Sequence, residues 1–420
     1  MVSNMNRADP IIIVGAGHAG GRTALTLREQ GYQGRLLLIG DEPHLPYERP
    51  ALSKQLLLGS QPPEQCQIGT AEQYQQLAIE RLSGVHVTAI QPDRRRIALQ
   101  DGSELAYHKL LLATGGRART AAMPGAGLAG VHMLRTVDDA LALQPRLQPA
   151  QRVVVVGGGF IGLEVAASAV QLGCEVTVLE AGDRLAARAL PPQLSERLQQ
   201  LHRARGVAVR LGCRIQAFAG TAAVDDVVLE DGERLPCDVV VVGIGIQPNT
   251  ELATAAGLAV GNGIRVNAQL RTSDEHIYAV GDVCEFPCPL SGQPVRLETW
   301  RNAEEQGRHV ARNLLGEDEA FTALPWFWSD QFDHGLQLAG NIQGAASCVK
   351  RELPDDGLLL FFLNSAQQLQ GACGWGVGNR VAKDIKLAEM LIRSGKSLAT
   401  DLLSDPAVNL KSLLKGASSV

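Results

Sequence analysis

The sequence predicts an α/β protein in which one strand–helix–strand plan is used twice, followed by an α+β segment. Three observations predict it. Ile11–Val14 is a continuous apolar, β-branched run that ends at Gly15, the pattern of a strand buried on both faces. Residues 19–30 then read as a helix and 35–39 as a second strand. The same plan recurs as a strand over Arg152–Val156, a helix over 162–172 and a strand over Glu175–Leu179.

Residues 109–113, 238–242 and 276–280 are further strand-like runs. Each closes on a glycine-containing turn: Ala113-Thr114-Gly115, Gly243-Ile244-Gly245 and Gly281-Asp282. Ligands of doubly wound sheets gather at the carboxyl ends of strands, so these turns are candidate contacts. A charged, proline-containing stretch around 316–325 reads as a boundary. Beyond it, alternating runs such as 358–363 suggest strands, and 384–394 suggests an amphipathic helix. The expected domains are 1–115 with 247–322, 116–246, and a C-terminal α+β domain at 323–420.

Composition narrows the class. A chain of 420 residues has room for two to four domains. With 39 basic against 44 acidic residues, the net charge of −5 argues against a nucleic-acid binder. No apolar run approaches the roughly 20 residues that span a bilayer. The polar start at residues 1–10 leads into a first strand rather than a signal-peptide core, so a cytoplasmic protein is expected.

The two repeats carry the chemistry. Gly15-x-Gly17-x-x-Gly20 lies between strand and helix, with Ala16, His18 and Ala19 in its variable places. The first glycine permits the tight turn, the second admits a pyrophosphate, and the third lets helix pack on strand. The helix N-terminus offers N–H groups and partial positive charge to phosphates. Asp41 follows about 20 residues on, where a carboxylate accepts from a ribose. Gly157-x-Gly159-x-x-Gly162 repeats the pattern, with Phe160 and Ile161 before its third glycine and Glu180 as its acid. A carboxylate there repels a 2′-phosphate and favours NADH over NADPH, a preference that nearby Arg184 would soften. Two Rossmann-like sites imply two dinucleotides. A flavin with a nicotinamide makes chemical sense; two nucleotides of one kind, or one degenerate site, are the alternatives.

Eight cysteines lie scattered at 66, 174, 213, 237, 284, 288, 348 and 373, with no C-x-x-C or C-x-x-x-x-C. Cys284 and Cys288 are closest, and without a second pair they read as idle thiols, so no metal is expected.

Taken together, these residues resemble the ferredoxin reductases that serve aromatic-ring dioxygenases and bacterial P450 systems, the putidaredoxin reductase and biphenyl dioxygenase ferredoxin reductase type. The resemblance covers almost the whole chain. Besides both glycine motifs it rests on Pro50-Ala51-Leu52-Ser53-Lys54, Leu112-Ala113-Thr114-Gly115, Gly243-Ile244-Gly245-Ile246-Gln247-Pro248-Asn249 and Tyr278-Ala279-Val280-Gly281-Asp282. It extends to Glu298-Thr299-Trp300-Arg301-Asn302-Ala303 and Pro325-Trp326-Phe327-Trp328-Ser329-Asp330-Gln331.

The resemblance implies a glutathione reductase-like fold holding FAD and NADH. FAD contacts would come from the first glycine loop, Asp41, Arg49, Lys54, Val87, the Ala113-Thr114-Gly115 turn, Arg135, Gly281, Asp282, Glu298, Thr299 and Trp300. NADH contacts would come from the second loop, Glu164, Glu180 and the Gly243-Ile244-Gly245 turn. Lys54, Glu164 and Trp300 would stand nearest the chemistry, with Glu164 near Lys54. Read alone, Asp282 is a turn residue, Lys54 a solvated lysine and Glu164 a carboxylate in a first helical turn. All four tryptophans fall between 300 and 375. Trp326, Trp328 and Trp375 would pack between the flavin and C-terminal domains, or serve as core.

Implied chemistry is hydride transfer from NADH to flavin N5, then single electrons to a two-iron two-sulfur ferredoxin supplying an oxygenase. With no cysteine pair for a redox disulfide or cluster, electrons leave the flavin directly. Alternatives are a rubredoxin reductase, an NADH oxidase, or a partner-binding flavoprotein of the apoptosis-inducing-factor kind. The protein would be a monomer or homodimer, without nucleic-acid or membrane partners. Arg301, Arg308, Arg312, Lys383 and Lys386 are candidates for steering an acidic ferredoxin; a solvated helix face is the ordinary reading of each.

Overall fold

A computed structural model describes residues 9–120 and 123–415. The polar start lies, apart from Asp9 and Pro10, outside them. Internal packing divides the chain into two compact units. One is Met1–Glu48, Glu64–Arg117 and Gln247–Trp326; the other is Arg49–Pro63, Ala118–Ile246 and Phe327–Val420.

The first unit is centred on a five-stranded parallel sheet in the order Ile277–Ala279, Lys109–Leu112, Ile11–Val14, Leu36–Gly40, Ile79–Ser83. Ile12 stands opposite both Leu37 and Leu110, so the first strand is interior. Its alternate side chains enter different cores. Ile11 and Ile13 pack with Ala24, Leu27 and Val310, whereas Ile12 and Val14 pack with Val87, Ile90 and Ile97. Burial of both faces is why the strand reads as an unbroken apolar run. The helices His18–Glu29 and Trp300–Leu315 cover one face. The antiparallel strands Val87–Gln91, Arg96–Leu99 and Glu104–Ala106 contribute to the other core.

The second unit repeats the parallel sheet in the order Ala208–Arg210, Glu175–Leu179, Arg152–Val156, Val239–Val242, Val131–Met133. Val154, Val156, Val240 and Val242 join one core with the antiparallel strands Ile215–Gly220 and Val224–Leu229. The C-terminal part is a five-stranded sheet in the order Trp326–Gln331, His334–Gly340, Leu369–Val377, Gly357–Leu363, Ser347–Leu353, backed by the helix Ala382–Ser394.

Two expectations change. Gly357–Leu363, which lies between Ser347–Leu353 and Leu369–Val377, is buried at every residue instead of alternating, the pattern of a strand covered on both faces. The second fingerprint helix begins at Phe160, two residues before the expected start, because Gly162 must sit inside the turn that packs on the strand. By internal packing, the segment Arg49–Pro63 groups with the second unit. It is tied there by Ser168 Oγ donating to the Ser53 carbonyl (2.8 Å) and Gln144 Nε2 donating to the Leu56 carbonyl (2.9 Å).

Candidate dinucleotide sites

Both glycine loops are built by the same contacts. Gly15 has φ +110°, and a Cβ there would lie 2.2 Å from the Ala113 carbonyl oxygen; Gly157 has φ +103°, and its Cβ would lie 2.5 Å from that of Gly243. A Cβ on Gly20 would meet the Gly15 oxygen at 1.9 Å, and one on Gly162 the Gly157 oxygen at 2.4 Å. First and third glycines are therefore demanded by the fold itself.

The second glycines are not demanded by their backbone angles. Gly17 (φ −81°, ψ −164°) and Gly159 (φ −80°, ψ 172°) have backbones open to any residue. A Cβ on Gly159 would meet only the Gly243 oxygen, at 4.0 Å. Gly159 keeps space clear in front of its helix N-terminus. Neither helix has an acidic residue in its first turn or a side chain capping it, which leaves N–H groups and positive dipole for an anion. A pyrophosphate fits both loops.

Around the first loop, His18 opens the helix and Ala19 lies 3.1 Å from where a Gly281 Cβ would be. The Ala113-Thr114-Gly115 turn is knitted to Asn249: Thr114 Oγ1 donates to the Asn249 carbonyl (2.8 Å), and Asn249 Nδ2 returns a bond to the Thr114 carbonyl (2.9 Å). Asp41 follows the second strand and is exposed. The Gly281 N–H donates to Gln306 Oε1 (2.8 Å), and Arg296 Nη1 donates to the Asp282 carbonyl (3.0 Å). Glu298 pairs with Arg296 at 2.7 Å. Thr299 is the N-cap of the Trp300–Leu315 helix, accepting from the Asn302 N–H at 3.2 Å. The Trp300 ring meets His18 edge-on at 5.2 Å. Val87 is buried in the core, leaving its main chain for any ligand contact.

Sequence reasoning missed Glu304. This buried carboxylate accepts from Arg22 Nε (2.7 Å) and Arg308 Nε (2.7 Å) and bonds His18 Nε2 (2.9 Å). Burial pulls its pKa upward, but the bonds from His18, Arg308 and Arg22 outweigh it and hold the carboxyl at about 2. The expected basic patch is largely spent in such pairs. Arg301 donates to Glu305 (2.8 Å) and lies over the Trp326 ring (5.2 Å), Arg312 is 3.4 Å from Glu319, and Lys386 is 3.1 Å from Glu389. Four of the five candidates thus face carboxylates of their own chain.

In the second unit, Phe160 packs on Phe327 at 4.4 Å between centroids, and Ile161 is 48% exposed at the helix start. Gly243 makes room for the fingerprint helix, its Cβ position being 3.4 Å from the Gly162 Cα. Gly245 (φ +100°) accepts from the Arg119 N–H at 2.9 Å; Ile244 lines the core beside it. Glu180 accepts from the Gly158 N–H (2.7 Å) and the Gly182 N–H (2.6 Å). A carboxylate has about four acceptor positions, so two remain for ribose hydroxyls. Arg184 does not stand free beside it: its guanidinium donates to the Leu190 carbonyl (2.7 Å), the Ala187 carbonyl (3.1 Å) and Ser195 Oγ (3.3 Å).

Glu164 is 4% exposed and lies in the second helical turn, so the ordinary first-turn reading does not hold. Lys54 Nζ is 3.3 Å from its Oε1. Ser53 Oγ donates to Oε2, and Ser329 Oγ donates to Oε1 at 2.6 Å. Lys54 Nζ is also 6.0 Å from the Trp328 ring centroid. Arg49 donates to the Arg135 carbonyl, and the Arg135 N–H donates to Asp139 (2.9 Å). Trp375 is core of the C-terminal sheet, stacked on His334 at 5.0 Å. Cys174, Cys213, Cys237, Cys284, Cys288, Cys348 and Cys373 are free thiols. Among the described residues, no helix is long and apolar enough to cross a membrane.

Paired parallel sheets, each with a glycine loop at a helix N-terminus, define a two-dinucleotide oxidoreductase. Accordingly, the chain belongs to the pyridine nucleotide-disulphide oxidoreductase family, whose model matches residues 9–307; a reductase C-terminal model matches 326–414. It is 44% identical to the anthranilate 1,2-dioxygenase system ferredoxin–NAD(+) reductase component of Burkholderia cepacia, over 97% of this chain and all of that one. Among solved structures it is similar to the ferredoxin reductase for the CYP199A2 system of Rhodopseudomonas palustris (TM-score 0.92, 39% identity, 97% of this chain, 100% of that one). It is also similar to the reductase of the covalent putidaredoxin reductase–putidaredoxin complex (TM-score 0.93, 37% identity, 99% and 100% covered).

Proposed function

We infer that this FAD- and NADH-dependent oxidoreductase is the ferredoxin reductase of an oxygenase system, and that its acceptor is a two-iron two-sulfur ferredoxin. The observation that carries the reading is the pair of glycine loops in one chain, each at a helix N-terminus and only the second backed by the partly buried Lys54–Glu164 pair. Full-length similarity to ferredoxin–NAD(+) reductase components supports it.

When bound, FAD supplies the exchange between two-electron hydride chemistry and one-electron transfer. The chain's own residues bind and orient. Gly15, Gly17 and Gly20 with the helix N-terminus hold one pyrophosphate, while Asp282, Thr114 and Trp300 border the same cofactor. Gly157, Gly159 and Gly162 hold the other, and Glu180 selects NADH by its charge. Lys54 and Glu164 place the nicotinamide, so the protein's contribution is positioning and no general base is required. The three domains at 1–115 with 247–322, 116–246 and 323–420 belong to this reading. So does a cytoplasmic location, which free thiols such as Cys284, Cys288 and Cys373 support, and a monomeric or homodimeric state.

Purified protein should be yellow, bleach on anaerobic mixing with NADH, and reduce cytochrome c only when a two-iron two-sulfur ferredoxin is added. A colourless protein after reconstitution with FAD would refute the reading. Rapid oxygen consumption without any ferredoxin would reassign it as an oxidase.

A further inference from the structure

Two sequence motifs, Ser53-Lys54 and Ser329-Asp330-Gln331, hold polar side chains that the reading above does not use. In the structure they meet at Glu164. Ser329 and Gln331 are two apart on the strand Trp326–Gln331, so their side chains share a face, and both are fully buried. Gln331 Nε2 donates to Ser329 Oγ at 2.8 Å, and Gln331 Oε1 lies 3.0 Å from His202 Nε2, on the helix Pro192–Ala204. A line of bonds thus runs from His202 through Gln331 and Ser329 to Glu164, where Lys54 closes it.

Every link in this line has one allowed direction. The Gln331 carbonyl oxygen only accepts, so His202 carries its proton on Nε2 and donates. The Gln331 amide nitrogen only donates, so Ser329 Oγ accepts from it and has its single proton left for Glu164. The reversed amide would draw the Ser329 proton to Gln331. Ser329 Oγ and Glu164 Oε1 would then stand 2.6 Å apart with no proton between them. His202 suits the end of such a line: burial lowers its pKa to about 4, which keeps the ring neutral and its tautomer fixed at pH 7.

We propose that Ser329, locked in one hydrogen-bonding direction by Gln331 and His202, is a positioning residue that holds Glu164 as an acceptor-only carboxylate and thereby fixes the Lys54 ammonium. Lys54 is a flexible side chain with three rotatable donors, and one ion-pair contact does not set its place. Ser53 on one carboxylate oxygen and Ser329 on the other prevent the carboxyl from rotating. The position of the Lys54 charge is thus set through Glu164 by a line of buried groups that runs back to His202. The inference rests on the role given above to Lys54 and Glu164.

The test labels the FAD-loaded protein, without NADH, with an amine-selective reagent, and follows the rate at Lys54 by peptide mass spectrometry. Ser329→Ala should raise that rate about tenfold, the scale of one hydrogen bond to a charged group. Gln331→Met, which fills the space but cannot direct the serine, should raise it less. Ser347→Ala, a hydroxyl of the same sheet outside this line, sets the baseline. NAD+ affinity by calorimetry should weaken in the same order, with flavin content unchanged. If both Ser329→Ala and Gln331→Met label like the baseline, the proposal is overturned; should Ser329→Ala fail to fold, Gln331→Met alone decides. Because labelling is read without NADH, its failure is separable from failure of the hydride reading, which the bleaching experiment decides.

Discussion

The two glycine loops share their backbone device and differ in what surrounds it. The first is enclosed. Its helix carries His18 and Arg22, both bonded to Glu304 of the Trp300–Leu315 helix, and Gly307 of that helix approaches closely enough that a Cβ would lie 2.9 Å from the Ala19 carbonyl oxygen. The second is open. Its helix starts with a half-exposed Ile161, space stands clear over Gly159, and its polar contacts lie a turn further in, at Glu164. Enclosure suits a cofactor kept through many turnovers, and openness suits one that exchanges in each. Like motifs thus sit in different surroundings, and the difference comes from neighbours distant in sequence.

The comparison breaks most sharply at the glycines. Gly20→Ala puts a carbon 1.9 Å from the Gly15 oxygen. It should cost about 1–3 kcal/mol in overpacking and yield protein that has lost most of its flavin, read from absorbance at purification. Gly159→Val meets no such obstacle. It should leave flavin content and melting temperature as in the parent, while raising KM for NADH about 100-fold, or roughly 2.7 kcal/mol of binding. Equal loss of flavin in both variants would show that the loops are not distinct in the way described.

Acid sharpens the contrast, because each unit has its own buried titrating group. The folded pKa of Glu304 is about 2, below its ordinary 4.5. Its contribution is present above 4.5 and is lost as pH falls from there toward 2, on the order of 3 kcal/mol in all. Thermal melts between pH 5 and 3 should fall more steeply for the parent than for Glu304→Gln, and flavin should leave the parent over the same interval. His202, lowered from 6.5 to about 4 by burial, is neutral in the fold. The unfolded chain binds the extra proton first, so the His202 share of stability is present above 6.5 and lost between 6.5 and 4. His202→Asn should flatten the pH 7-to-5 portion of the melting profile and leave the lower portion unchanged.

What the sequence made legible follows from range. Both parallel sheets were visible because a run such as Ile11–Val14 must be apolar on two faces, and both loops because glycine is required where Cβ would strike a carbonyl. Glu304 and His202 were invisible: each meets partners more than a hundred residues away, and nothing local marks a helical carboxylate or imidazole as buried. Motif membership pointed to Ser53 and Ser329 without a role, since their shared acceptor appears only when the segments meet. The same limit explains the basic patch. Helical spacing put Arg301 and Arg308 on one helix, and the carboxylates that hold them, Glu305 and Glu304, occupy i+4 and i−4 on that helix.

The smallest expected effect concerns Arg184, and it separates position from availability. On position alone, a guanidinium four residues after Glu180 would be a partner for a 2′-phosphate and would blur the preference for NADH. Its donors are already given to two carbonyls and a hydroxyl of the 187–195 segment, where it supports the turn leading into the helix Pro192–Ala204. To meet a phosphate it would have to abandon those bonds, at a cost of about 1 kcal/mol each. Arg184→Ala should therefore destabilise that turn by about 1–2 kcal/mol and shift the ratio of kcat/KM for NADH over NADPH by less than about twofold, under 0.4 kcal/mol. Glu180→Gln, which removes the charge facing the ribose, should shift it toward NADPH by about tenfold, near 1.4 kcal/mol. Were Arg184→Ala to raise the NADH preference as much as Glu180→Gln lowers it, the arginine would be reaching the nucleotide, and the second loop would be less fully described by its carboxylate than the bonds of Glu180 imply.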